Sequence, residues 1–253
     1  MKTPRFLVAA CISLVLAFIL SCSSNDGGDN IGGTDGGNNS TQGGGSHFNP
    51  NITYGSFTDS RDGKTYRTVV IGTQTWMAEN LNYDVPNNTT DACYNNEPGK
   101  CTTYGRMYNW ATAMDIEQSC NSNSCASQDN HRGICPENWH IPSDTEWEVL
   151  LKYVDPNWTS YSYVAGMKLK AKSGWNNNNN GTDDYGFSAL PGGDGGPDGR
   201  FFNAGGRGLW WSSSEYDNLN RDGALLREIS ENNAIFRGQA NKVCLWSVRC
   251  VKD

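Results

Sequence analysis

The sequence predicts an α+β domain: two helices packed on mostly antiparallel sheets, stapled by disulfides. Three observations carry that prediction. Ser143 and Glu146 stand at capping-box spacing ahead of an apolar stripe of Trp147, Leu150, Leu151 and Val154. In such a box the Ser hydroxyl accepts an orphan N–H and the Glu carboxylate reaches back to the cap, and the stripe has helical spacing. Runs 64–71 and 74–81, rich in β-branched and aromatic residues, surround Gly72-Thr73 and read as two strands about a turn. Nine Trp, eleven Tyr and eight Phe give a chain with few Leu and Ile enough buried surface for a core.

Residues 1–21 read as a lipoprotein signal peptide. Lys2 and Arg5 precede an apolar run from Phe6 to Leu20, short for a spanning helix. It ends Ile19-Leu20-Ser21-Cys22, similar to a bacterial lipobox, so cleavage before Cys22 and lipidation of its sulfur are expected. Several acyl chains on one residue anchor firmly, where a single chain is marginal. Residues 22–50 are the lipidated Cys and a tether. Nine Gly among Ser, Asn, Asp and Thr cannot bury enough surface to offset chain ordering. As a flexible coil the tether reaches roughly 30 Å. The expected location is the outer membrane, surface-exposed.

Residues 51–253 fit a single core. After the strand pair, 104–114 is expected to form the first helix and 143–154 the second. The span 155–200 reads as loop, with a short ordered piece at 167–172. Strands are expected at 186–190, 208–213, 224–230, 234–237 and 245–251. Without Lys2 and Arg5, 18 basic residues face 27 acidic ones, a balance of −9. That argues against nucleic acid and against adhesion to anionic surfaces. Setting aside Cys11 and Cys22, seven cysteines remain. Cys120 and Cys125 are near enough in sequence to close a small loop. Cys244 is the odd one and reads as a half-buried thiol, with only Lys242 nearby to lower its pKa.

Gly-Ile-Cys-Pro-Glu-Asn-Trp-His-Ile-Pro-Ser-x-x-Glu-Trp at 133–147 resembles the signature of the Fibrobacter succinogenes major paralogous domain (FISUMP). The resemblance continues at 59–66, 71–81, 104–110, 186–191, 211–215 and 246–251, in order, across nearly all of 55–253. It implies a C-type-lectin-like fold, related to the formylglycine-generating enzyme domain. It also implies the pairs Cys135–Cys250 and Cys93–Cys101. The first closes a loop of over a hundred residues, worth about 4–5 kcal/mol in the chain-entropy model.

Chemistry is sparse. Calcium needs about six to eight oxygens, and the lectin tripeptides that supply them are absent. Trp175-Asn176-Asn177 lacks the carboxylate, and the loop with Asp183 and Asp184 reads as a polar turn. His47, His131 and His140 lack zinc spacing. No metal or cofactor is expected. There is no Gly-x-Ser-x-Gly elbow, and His140 reads as a hydrogen-bonded core histidine, so no catalytic residues are assigned.

The informative stretch is 214–243. Its frame matches the family, but its interior lacks clean two-residue alternation. Tyr216, Asp217, Asn218, Asn220, Arg221, Arg227, Glu228, Asn232, Arg237 and Asn241 are the side chains of adaptable recognition surfaces. In some family-like proteins this segment is the variable target of diversity-generating retroelements, so the resemblance suggests a ligand-binding face there. Three classes compete: a surface lipoprotein binding an extracellular glycan or protein, a structural envelope protein, and a formylglycine-generating-like enzyme using Cys244 or Cys250.

Overall fold

A computed structural model describes residues 47–125, 131–216 and 221–253, and the backbone of Ile19–Leu20. The expected lipidation at Cys22 and nearly all of the tether lie outside the described residues, as do Asp217, Asn218 and Asn220.

The domain opens with a meander of β1 (Gly55–Thr58), β2 (Thr65–Ile71) and β3 (Gln74–Met77). Next come α1 (Pro98–Tyr104), β4 (Met107–Tyr108), α2 (Trp110–Ala113), β5 (Trp139–His140), α3 (Asp144–Val154) and α4 (Tyr163–Leu169). The chain closes with β6 (Arg207–Tyr216), β7 (Gly223–Ser230), β8 (Ile235–Asn241), β9 (Trp246–Ser247) and β10 (Val251–Lys252). One sheet runs β1-β2-β3-β10-β5, antiparallel throughout. The larger sheet runs through β8-β7-β6-β9-β4. It is antiparallel except where β6 meets β9 and where Ile19–Leu20 lies beside Gln239–Ala240. The class is α+β, mostly sheet.

Two-residue alternation along β6 separates two cores. Trp210 faces α3, where Trp147 lies 4.8 Å from Trp76, 6.0 Å from Phe187 and 6.4 Å from Trp210. Trp211 faces the other way and stacks on Trp246 at 4.5 Å, among Trp110, Met77 and Val248. Truncating any of these buried indoles to Ala would cost about 3–5 kcal/mol. The capping box of α3 is formed: Ser143 Oγ accepts from Glu146 N at 3.2 Å, and Ser143 N donates to Glu146 Oε2 at 2.8 Å.

Cys135–Cys250, Cys93–Cys101 and Cys120–Cys125 are all bonded. Cys244 is fully buried, not half-buried.

Other expectations need correction. The single helix at 104–114 is broken in two. Gly105 adopts φ 77, where a Cβ would lie 2.6 Å from that of Asn80, so the chain turns out of α1 and restarts at the Asn109 cap of α2. The strand expected to reach residue 81 ends at Met77: Ala78 N still reaches Arg67 O, but the chain then leaves the hairpin, and Leu81 N bonds to Val248 O. Run 186–190 makes only one bridge, Ala189 to Lys170, since Gly186 and Ser188 have positive φ. Run 245–251 divides into β9 and β10 because Arg249 enters the core between them, 4.2 Å above the Phe187 ring. The ordered piece at 167–172 is α4, which starts earlier at its Ser162 cap.

Candidate functional site

Where β6 ends, β7 begins and β8 ends, one cation holds three segments together. Lys242 has no exposed surface. Its Nζ donates to Cys120 O at 3.1 Å, Asn123 O at 3.0 Å and Arg221 O at 3.3 Å, and pairs with Glu215 Oε1 at 2.6 Å. It also lies 4.5 Å above the Trp110 ring. Glu215 in turn accepts from Ser124 Oγ at 2.5 Å and Cys125 N at 2.9 Å. Burial pushes the Glu215 carboxyl up, but the Lys242, Ser124 and Cys125 donors outweigh it and hold the group below its ordinary value. The Cys120–Cys125 disulfide loop is thereby fixed against the end of the large sheet.

Tyr216, Arg221 and Asn241 gather at this end. The Tyr216–Gly223 rung puts the feet of the 216–223 segment side by side, and the Gly223–Asn241 rung brings Asn241 next to them. Asn241 Nδ2 donates to Asp222 Oδ2 at 2.9 Å, and Lys242 N to Asp222 O at 2.8 Å. Tyr216 is half-buried and Arg221 exposed.

The remaining residues of the expected face do not join them. Arg227 is wholly buried, and its guanidinium donates to Asp144 Oδ1 at 2.8 Å and lies 3.7 Å from Glu148. Glu228 is buried on the opposite sheet face, 3.3 Å from Arg207, and burial pushes its carboxyl up to about 7. Neither is a recognition side chain. Arg237 is exposed, but it also serves Asp144, at 2.9 and 3.0 Å, tying β8 to the start of α3. Asn232 sits in the β7–β8 turn at the far end of the hairpin and accepts from Ala234 N at 3.1 Å.

His140 is the hydrogen-bonded core histidine its neighbours suggested. Nδ1 lies 2.6 Å from Asp253 Oδ1 and Nε2 2.6 Å from Glu146 Oε1. Burial lowers its pKa, but the two carboxylates outweigh that and raise it. Among the described residues no group of three or more His, Cys, Asp or Glu is placed to hold a metal ion, and no helix is long and apolar enough to cross a membrane.

Sequence reasoning missed Lys242 and Glu215, because neither contrasts with its polar neighbours in a linear reading. The chain belongs to the Fibrobacter succinogenes major domain family, whose model matches residues 69–252. No curated protein and no solved structure matches it.

Proposed function

We propose that this protein is a surface lipoprotein that binds a ligand outside the cell through the end of its large sheet, with no catalytic step. The observation that carries this reading is the buried Lys242–Glu215 pair, which holds three chain segments in one frame beneath Tyr216, Arg221 and Asn241. A preorganised loop set with half-exposed aromatic and charged side chains suits recognition, because less freedom is lost on binding. A C-type-lectin-like architecture is part of the proposal. Its support is the order of helices, loop-rich span and antiparallel strands, with Cys135–Cys250 tying the entrance of α3 to the end of the chain.

The test is a glycan and protein array probed with wild type and with Tyr216→Ala/Arg221→Ala. Binding that the double variant loses by about tenfold or more, at unchanged melting temperature, supports the reading. Equal binding of every array ligand by both proteins removes the sheet end as the binding face, and no binding by wild type removes the whole reading. Lipid anchoring at Cys22 is tested separately: Cys22→Ser is expected to leave the membrane fraction, and protease treatment of intact cells is expected to digest the wild-type domain.

A further inference from the structure

A groove of about 300 Å3 opens between Thr53 and Val70 in the smaller sheet. It exists because a ladder stops. β1 follows β2 only as far as the rung Gly55–Thr68, and residues 52–54 then diverge. Arg67 accepts from Ala78 N on the β3 side. Backbone direction alternates along a strand, so Thr68 faces β1 and Val70 faces the gap. Val70 therefore presents an N–H and a C=O to the groove, donor beside acceptor.

The side chains around this backbone pair differ in chemistry. Ile52 and Val69 are apolar, Tyr185 lines one wall, and Thr53 and Asp184 stand exposed at the rim. Among the described residues the Asp184 carboxylate has no hydrogen-bond or ion-pair partner. Tyr153 from α3 is 55% exposed and meets Tyr185 edge-on at 5.8 Å, which prolongs the aromatic wall. At Gly55 a Cβ would lie 2.7 Å from Thr68 Oγ1, so a side chain there would crowd the closed end.

The chemistry selects among occupants. An anion would meet Asp184 and a chain of net charge −7. An extended peptide would gain a single rung at Val70 before the Gly72 turn, too few hydrogen bonds to offset the freedom lost on association. A sugar hydroxyl is donor and acceptor at once and suits an adjacent N–H and C=O. A carboxylate accepts from neighbouring hydroxyls, and the C–H face of a pyranose covers an aromatic ring. The volume is small for a ligand site and leaves room for roughly one or two sugar rings.

We propose that this groove binds a neutral hexopyranose unit of a glycan, with Tyr185 against the ring, Asp184 on its hydroxyls and the Val70 backbone completing the set. The proposal rests on the reading of the protein as an extracellular binding module, and it places a second site on the other sheet.

Saturation-transfer NMR and calorimetry on the purified protein, with maltotriose, cellotriose and mannotriose as probes, provide the test. At least one trisaccharide is expected to bind in the millimolar range or tighter, about tenfold more weakly in Asp184→Asn and in Tyr185→Ala. Thr53→Trp fills the groove from an exposed position and is expected to abolish binding at unchanged melting temperature, which separates loss of the site from loss of the fold. Tyr216→Ala/Arg221→Ala is expected to bind like wild type. No binding of any of the three sugars overturns the proposal, as does their displacement by a Val-Thr-Val tripeptide. Sugar binding lost in the sheet-end variant but kept in the groove variants also overturns it, while leaving the binding-module reading in place.

Discussion

Two lysines, Lys170 and Lys242, are fully buried at opposite ends of the large sheet, and their surroundings differ in one respect. Each lies over an indole, Lys170 at 4.1 Å from the Trp175 ring centre and Lys242 at 4.5 Å from that of Trp110. Each donates to backbone carbonyls. Lys242 also has a carboxylate, Glu215, at 2.6 Å. Lys170 has only neutral acceptors: Glu231 O and Asn233 Oδ1 at 2.9 Å and Ser230 O at 3.5 Å. Burial accordingly pulls the Lys170 ammonium down to about 8. A buried cation with no carboxylate in direct contact, only the more distant charge of Glu231, can close a hairpin turn. The end of the sheet that presents Tyr216 and Arg221 uses an ion pair, which fixes several segments at once.

The sharpest way to break this comparison is Lys242→Met. It strands Glu215 and frees the disulfide loop, and the expected loss is about 3–5 kcal/mol by urea denaturation. The double variant Lys242→Met/Glu215→Gln should lose less than the single one, since no unpaired charge remains. Lys170→Met should cost less, about 1–2 kcal/mol, the price of leaving turn carbonyls without a donor. It should also change the pH dependence. The folded-state pKa of Lys170 lies below its ordinary value, so the unfolded chain binds the extra proton between about pH 8 and 10.5. Wild type therefore gains stability from this group as pH rises through that window, and Lys170→Met should not.

Glu228 extends the contrast to a buried anion. Its carboxyl is pushed up to about 7 by burial, so the folded state holds a proton that the unfolded state has released above its own value near 4.5. Stability from this group falls as pH rises between those values, and Glu228→Gln should flatten the fall, on the order of 1 kcal/mol at pH 7.5. His140, a cation between two carboxylates, should show the smallest effect. Its raised pKa stabilises the fold below about pH 6.5, and the benefit is lost as pH rises through the folded value. His140→Gln should lower the melting temperature at pH 5.5 more than at pH 8.5. Equal shifts would mean that its charge contributes nothing.

What could be read from the sequence was local or covalent. Ser143 and Glu146 are three residues apart, and one turn of backbone is enough to join them. The strands of the closing sheet announced themselves by composition, though their ends did not. Arg227 shows why the expected binding face failed. A linear reading sees a polar residue in a ragged strand, but its partner Asp144 lies 83 residues upstream and takes it into the interior. Lys242 escaped for the same reason, since Cys120 lies 122 residues away. Gly105 shows the limit for helices: the apolar spacing at 104–114 suggests one helix, but Gly105 takes φ 77 and caps α1 before α2 begins.

The frame at the sheet end has a use in protein engineering. Glu215, Asp222, Asn241 and Lys242 bond to one another or to main chain. A combinatorial library could therefore randomise Tyr216 and Arg221 while keeping the four framing residues constant. The scaffold should express and melt alike across its members, so selection would act on affinity alone.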